Sequence, residues 1–326
     1  MTFAKATSAK NRRVAPPIAR FEALSYQSDA VHALERLDYG AVFHEQGLGK
    51  TKIAIDIALS WLTSGAVDSV FIVSKRSLIP NWQRELSRHT NVVPRVLSQD
   101  RKQNYFAFNS RARVFLLHYE VFRYELDRIL LFTDTRRVGI ILDESQKIKN
   151  PEAALTADLL TASPNFVKRI IMSGTPVANR PYDIWSQILF LDSGKSLGDD
   201  FQSFKGDFDF NEMLATIPKE RERFANNLEW LRVQIQPFTV RETKTSTGID
   251  LPRKHLERVV CIMAPQQQLM YEQIRDELQV EVEKDKQRIT DDTGAILKRL
   301  LRLVQVASYP GLVEVVPIIV DIHLAA

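Results

Sequence analysis

The chain has 326 residues, of which 44% are hydrophobic and 26% charged, a composition typical of a soluble globular protein with one large or two small domains. Its single cysteine, Cys261, excludes a disulfide within these residues and a cysteine-based zinc site. No stretch reaches the ~18 uninterrupted apolar residues that a membrane span needs. The formal net charge of +4 is compatible with nucleic acid. We expect a soluble intracellular protein, cytoplasmic in a bacterial or phage context and nuclear in a eukaryote.

The first 20 residues carry only basic charged side chains and include Pro16 and Pro17. This pattern predicts either a flexible basic arm that contacts phosphates or a solvated, disordered terminus. The segment has no apolar run, so it is not expected to be a secretory signal.

From about residue 26 to residue 176, short apolar segments alternate with segments of helical periodicity. The segments rich in β-branched and aromatic residues are predicted strands, at 40–45, 69–74, 113–118, 138–144 and 166–172. Near-continuous apolar strands separated by helices predict a parallel sheet covered by helices on both faces. Because ligands bind at the carboxyl ends of such strands, the Gly-Lys-Thr, Asp-Glu and Ser-Gly-Thr segments should meet at one edge.

The pattern changes after about residue 192. The stretch 193–235 has fewer strand signals and more charge, and its spacing predicts helices. The segment HLERVVCIMA, 255–264, is interpreted as a further strand. Two helices are predicted at about 265–289 and 293–306, with a turn at 291–294 between them.

The segment HEQGLGKT, which ends at Thr51, resembles a phosphate-binding loop whose leading glycine is replaced by His44. Lys50 would neutralise the β- and γ-phosphates of ATP, and the Thr51 hydroxyl would ligate Mg²⁺. Backbone N–H groups would cradle phosphate at the start of the following helix, where a glycine permits close approach. The predicted ATP-binding residues of the loop are Gly47, Leu48, Gly49, Lys50 and Thr51.

Two more segments at the predicted edge carry polar side chains. Asp143 is placed to hold Mg²⁺ through its water shell, and Glu144 to orient and deprotonate the attacking water. In isolation the two could equally be a solvated acidic pair, but a phosphate-binding loop is predicted upstream on a neighbouring strand. Ser173 and Thr175 lie on a sharp turn and are candidates for coupling phosphate state to a nearby surface. By contrast, Trp82, Trp185 and Phe190 have helical spacing and are predicted to pack in the core rather than stack on bases.

Several segments occur together in a recognisable order: Tyr26-Gln27, HEQGLGKT, FIVSKRSLIPNWQREL, LLHYE, LDESQKIKNP and MSGTPVANRPYDIWSQILFL. They are followed by PFTVRETKTSTGIDLPRKHLERVV, QQQLMYEQI and LLRLVQVASYPGL. This order resembles the Snf-type branch of superfamily 2 helicase-like ATPases, over roughly residues 21–313. That family usually has Asp-Glu-Met-Gly-Leu-Gly-Lys-Thr at the loop, so a residue other than glycine at position 44 is normal there.

The resemblance implies ATP and Mg²⁺ as cofactors and duplex DNA as partner, bound through its backbone. It implies that Gln27 reads the adenine edge and that Gln146, which stands where the family usually has histidine, cannot protonate. The residues that would approach one DNA strand are Lys75, Ser77, Tyr119 and Thr175, although Lys75 could equally be a plain surface lysine. The implied organisation is a basic arm (1–20), a RecA-like ATP-binding lobe (21–192), a mostly helical insertion (193–254), a returning strand and helical linker (255–313) and a short tail (314–326).

The family carries a second RecA-like lobe that ends in a Gln-x-x-Gly-Arg-x-x-Arg box, and no such box follows Pro310 in this sequence. We expect the chain to be the ATP-binding lobe of a duplex-DNA translocase that hydrolyses ATP poorly by itself. The alternative is a non-translocating nucleotide- and DNA-binding regulator, or one subunit of a split motor with the second lobe in trans. A kinase or small-molecule NTPase would leave LDESQKIKN and MSGTPVAN unexplained.

Overall fold

The computed structural model describes residues 16–177, 179–209, 217–249, 253, 255–285 and 293–312. The chain divides into two compact units, Met1–Asp250 and Leu251–Ala326. The predicted basic arm lies outside the described residues up to residue 15, as does the predicted tail.

The first unit contains a seven-stranded sheet in which every neighbouring pair is parallel. The strands are β1 (Tyr39–Val42), β2 (Ser69–Ser74), β3 (Arg95–Val96), β4 (Val114–His118), β5 (Val138–Asp143), β6 (Lys168–Met172) and β7 (Thr239–Val240). Their order is β3-β4-β2-β5-β6-β1-β7. The predicted parallel α/β sheet is confirmed. However, β1 and β5 are not neighbours, as the sequence interpretation had them, because β6 pairs with both.

Helices connect the strands, as parallel pairing requires. Those of the first unit are α1 (Ser25–Leu34), α2 (Lys50–Ser64), α3 (Ile79–His89), α4 (Arg101–Phe108), α5 (Tyr119–Tyr124), α6 (Leu126–Thr135), α7 (Ala154–Ala162), α8 (Trp185–Asp192), α9 (Phe201–Phe208) and α10 (Pro218–Ile235). The described part of the chain contains no helix that is both long and apolar enough to cross a membrane.

The core lies on both faces of the sheet, because alternate residues of each strand point in opposite directions. On β2, Phe71 and Val73 join one apolar cluster, whereas Val70 and Ile72 join the other. The first cluster packs an aromatic group around Phe71. The second packs the sheet against α1, α2 and α3. Burial on both faces explains why the strands read as continuous apolar runs.

The second unit contains α11 (Pro265–Asp285) and α12 (Thr293–Ser308), which confirms the two predicted helices. The amide of Gln267 donates to the Val306 carbonyl at 2.8 Å and so joins the two helices. The strand predicted at 255–264 is wrong, since these residues have irregular backbone. A strand needs a neighbouring strand to accept and donate its backbone hydrogen bonds, and no strand of the described structure pairs with this segment. Its Leu256 and Ile262 side chains are 81% and 92% exposed.

Candidate active site

The predicted phosphate-binding loop joins β1 to α2 at the carboxyl end of the sheet. Gly47 and Gly49 have φ angles of 88° and 69°, in the left-handed region that favours glycine. Gly49 is the residue before the first helical residue, Lys50, so the free N–H groups of the α2 N-terminus face the loop. A Cβ on Gly49 would lie 2.3 Å from Nε2 of Gln27, so a larger residue would displace the Gln27 amide and strain the backbone at this φ angle. The backbone therefore has the form that phosphate binding requires.

Lys50 lies at the centre of this loop. Its ammonium group donates to the backbone carbonyls of His44 at 2.9 Å and Glu45 at 3.2 Å. Burial lowers the pKa of Lys50, while the carboxylates of Glu144, Asp143 and Glu45 act in the opposite direction. Anionic phosphate oxygens are stronger acceptors for an ammonium than these carbonyls.

The loop is held from the β7 side by contacts that the sequence interpretation missed. The backbone N–H groups of Phe43 and Glu45 donate to the carbonyls of Val240 and Glu242, each at 2.9 Å. The Glu45 carboxylate accepts from the Lys244 backbone N–H at 2.8 Å and lies 3.5 Å from the Lys244 ammonium. These partners lie about 200 residues away, and only the resemblance of PFTVRETK to a family segment could have indicated them.

Gln27 lies directly against the loop, as its predicted role requires. Its Oε1 accepts from the Leu24 backbone N–H at 3.1 Å. Its Nε2 donates to the Leu48 carbonyl and to the Tyr26 hydroxyl, both at 3.3 Å. The carboxamide is thus fixed beside the loop backbone at the start of α2.

The Asp143 carboxylate is buried at the end of β5. Its Oδ2 accepts hydrogen bonds from Ser74 Oγ at 2.7 Å and from Trp82 Nε1 at 2.8 Å. Burial raises the pKa of Asp143, and the two hydrogen bonds partly oppose this. Core packing of Trp82 is therefore confirmed, but its indole N–H also orients a predicted catalytic carboxylate.

Tyr119 lacks the exposed side chain that its predicted contact with DNA would need. Its side chain is 1% exposed, and its hydroxyl donates to the Asp143 backbone carbonyl at 2.7 Å. In this conformation the ring offers no exposed hydroxyl to a phosphate, so the structure gives this predicted contact no support. The other predicted contacts, Lys75, Ser77 and Thr175, have exposed side chains near the strand ends.

Glu144 begins the turn after β5 and has a φ angle of 55°, in the left-handed region. Its Oε2 lies 3.7 Å from the Lys75 ammonium and accepts a hydrogen bond from Gln146 Nε2. The Gln146 Oε1 accepts in turn from Ser173 Oγ at 2.7 Å, and Ser173 Oγ accepts from the Thr175 backbone N–H at 2.9 Å. A continuous polar chain therefore joins the turns after β2, β5 and β6.

The three predicted segments meet at one edge, as expected. A Cβ on Gly174 would lie 3.3 Å from Nζ of Lys50, so the Ser-Gly-Thr turn touches the loop. Thr51 lies in the first turn of α2 and is half-buried. Among the described residues, no group of three or more His, Cys, Asp and Glu side chains could hold a metal ion by itself. The Asp143 carboxylate and the Thr51 hydroxyl nonetheless offer the oxygen ligands that Mg²⁺ prefers. This ion commonly takes one or two protein ligands and completes its shell with water and phosphate oxygens.

His44, which stands in place of the leading glycine of the loop, has a buried ring. It is 1% exposed, and neither ring nitrogen has a hydrogen-bond partner of good geometry among the described residues. Burial lowers the pKa of His44, with the Glu242 carboxylate and the Val240 backbone acting in the opposite direction. The position therefore favours a neutral, space-filling ring.

Comparison with known proteins identifies relatives over most of the chain. Residues 26–312 match the family model described as the SNF2-related domain. An uncharacterized ATP-dependent helicase of Mycoplasma pneumoniae is 27% identical over 295 residues, covering 88% of this chain and 26% of that protein. The lymphoid-specific helicase of Homo sapiens is 27% identical over 243 residues, covering 71% of this chain and 28% of that protein.

A solved structure shows the same architecture. The Sulfolobus solfataricus SWI2/SNF2 ATPase core in complex with dsDNA has a TM-score of 0.58 and 26% sequence identity to this chain. The match covers 92% of this chain and 61% of the solved one. The chain therefore spans about a quarter of the two curated relatives described above and under two thirds of the solved core.

Proposed function

The chain belongs to the SNF2-related domain family, and from that premise we propose that it is the ATP-binding lobe of a DNA-dependent ATPase that translocates on duplex DNA. The observation that carries the proposal is the meeting of the loop, the Asp-Glu turn and the Ser-Gly-Thr turn at one strand-end edge. Its relatives include ATP-dependent helicases, and its structural match is an ATPase core in complex with dsDNA.

In this proposal the loop backbone cradles the phosphates of ATP, and Lys50 exchanges its two carbonyl acceptors for phosphate oxygens. Gln27 reads the adenine edge, which requires its Nε2 to exchange one of its two acceptors, the Leu48 carbonyl or the Tyr26 hydroxyl, for the base. Glu144 orients the attacking water and accepts its proton. The magnesium ion, when bound, neutralises phosphate charge, and Thr51 and Asp143 are the residues that would hold it.

The polar chain from Glu144 to Thr175 supplies the proposed coupling. Ser173 holds Gln146, and Gln146 holds Glu144, so a change at the exposed Thr175 turn reaches the general base through hydrogen bonds. Because the Gln146 amide has no titratable group near neutral pH, this link does not switch with pH as an imidazole would. Lys75, Ser77 and Thr175 would contact backbone phosphates, which carry no sequence information.

Efficient turnover would need arginines that reach the transition-state phosphates, and these 326 residues contain no Gly-Arg-x-x-Arg box. Loss of such an arginine lowers the rate by about 10³–10⁵. We propose that a second RecA-like lobe supplies them, in trans or in a longer chain. A protein made of these 326 residues alone should therefore bind ATP and hydrolyse it feebly.

The test is ATP binding and hydrolysis by the chain with and without duplex DNA, beside the Lys50→Ala variant. We expect binding that Lys50→Ala removes, and a slow hydrolysis that duplex DNA barely stimulates. Robust DNA-stimulated turnover that Lys50→Ala abolishes would contradict the need for a second lobe. Transfer of phosphate to a small acceptor, without any effect of DNA, would indicate a kinase instead.

A further inference from the structure

The register of β2 against β5 brings Lys75 and Glu144 together as an ion pair. In the parallel pairing of β2 with β5, Val73 lies beside Leu142. One residue further, Ser74 bonds Asp143, and one further still, the Lys75 ammonium lies 3.7 Å from Glu144 Oε2. The contact is therefore a consequence of strand pairing rather than of two long side chains meeting by chance on the surface.

The ion pair between Lys75 and Glu144 is weak enough for a competing anion to displace it. The side chains of Lys75 and Glu144 are 45% and 30% exposed, and ion pairs in such positions are weak because water screens them. A weak contact can hold a side chain in one rotamer without resisting a competing anion. Gln146 Nε2 bonds the same oxygen, so the Glu144 carboxylate is held from two sides when nothing else is bound.

A backbone phosphate that pairs with Lys75 would compete for the same ammonium. If the phosphate and the Glu144 carboxylate both stayed on it, two negative charges would lie within a few ångströms of each other and repel. Lys75 and the next two residues, Arg76 and Ser77, are exposed, so the ammonium can swing outward without disturbing the buried end of β2.

We propose that Lys75 is a positioning residue that restrains the Glu144 carboxylate, and that a nucleic-acid phosphate binding at Lys75 releases it. The inference rests on the proposed function, since it takes Glu144 as the general base and a nucleic-acid backbone as the anion. Lys75 then does more than contribute affinity, because a phosphate bound to it removes one of the two contacts that hold the carboxylate and leaves only the bond from Gln146.

Zero-length carbodiimide crosslinking of the full chain tests the restraint without requiring hydrolysis. This reagent joins an amine directly to a carboxylate in contact with it, and mass spectrometry identifies the product. We expect a Lys75–Glu144 amide in the free chain, and a yield that falls in proportion to the fraction of chain bound to a short duplex. Failure to form the amide, or an unchanged yield when the duplex is saturating, would overturn the inference.

Duplex binding is measured separately, so the experiment distinguishes a failure of the proposed function from a failure of the restraint by Lys75. A chain that forms the crosslink yet binds no duplex contradicts the proposed function, and the release step with it. A chain that binds duplex and forms no crosslink contradicts only the restraint. The Arg76→Met variant is the matched control, since it removes an adjacent exposed cation and should leave the crosslink intact.

Single-turnover hydrolysis without DNA gives a second readout. Lys75→Met should raise this rate by about two- to fivefold, the range that loss of an exposed ion pair allows. Arg76→Met should leave the rate unchanged, and Lys75→Arg should restore the slower one. If Lys75 only contacts phosphate, Lys75→Met will instead leave the DNA-free rate unchanged and weaken duplex binding alone.

Discussion

The end of β5 and the turn that follows it hold adjacent carboxylates in opposite environments. Asp143 is buried, and its Oδ2 accepts from Ser74 and Trp82. Glu144 is 30% exposed, and its contacts are the weak pair with Lys75 and the bond from Gln146. Two adjacent residues therefore supply one carboxylate with fixed partners and one that can change its partner.

The difference follows from where the strand ends. Asp143 still belongs to the sheet and is flanked by β2 and β6, whereas Glu144 leaves it in a left-handed conformation. The proposed roles fit these environments, because an ion ligand benefits from rigid partners and a general base must reach the proton that it accepts. Substitutions on the two sides should therefore affect different measurements.

The largest expected effect is on chemistry at the turn. Glu144→Gln should lower single-turnover hydrolysis by about 10²–10⁴, because general-base catalysis typically contributes that much. ATP binding, measured by titration, should stay nearly unchanged, since the loop is untouched. An equal loss of affinity would show that Glu144 acts in binding, and the contrast with Asp143 would then disappear.

A smaller effect, on the free energy of unfolding, is expected from substitutions around Asp143. Trp82→Phe removes the indole N–H that bonds Asp143 Oδ2, and a hydrogen bond to a charged group is worth about 1.5–3 kcal/mol. Urea unfolding at pH 7 should show a free-energy loss of that order beyond the packing loss. Trp185→Phe is the matched control, because the buried Trp185 Nε1 has no hydrogen-bond partner in the described structure.

The same variant should change the pH dependence of unfolding. The pKa of Asp143 is raised in the fold, so the folded chain binds its proton more tightly than the unfolded chain does. This contribution lowers stability as pH rises above the unfolded value near 3.9. Loss of the Trp82 donor raises that pKa further, so Trp82→Phe should cost more at pH 7 than near pH 4. Equal costs at the two pH values would contradict this account of Asp143.

The smallest expected effect extends the comparison to His44, a buried group at the same edge whose ring nitrogens lack hydrogen bonds of good geometry to the described residues. Its pKa is lowered in the fold, so the unfolded chain binds the proton more readily. This contribution to stability is present above the unfolded value near 6.5 and decreases as pH falls below it. His44→Phe should reduce the loss of unfolding free energy between pH 7.5 and pH 5.5. An identical loss in the original chain and in His44→Phe would contradict this contribution of His44.

Predictions from sequence succeeded where the signal is local. Buried strands such as β2 and β5 are continuous apolar runs, and the loop needs glycine at particular positions, so residue types alone indicate them. The segment 255–264 has a similar run of β-branched residues, yet it is not a strand. Whether a segment pairs depends on a neighbour, which its own residues do not specify.

Residue types in the sequence determined a parallel α/β fold, a phosphate-binding loop and the convergence of three motifs at one edge. The tertiary structure alone decided that β6 separates β1 from β5, that Tyr119 is buried, and that Trp82 orients Asp143. It also placed Lys75 beside Glu144. These contacts join residues about 24 to 70 positions apart or depend on strand order, so they are set by packing and register, which local patterns do not encode.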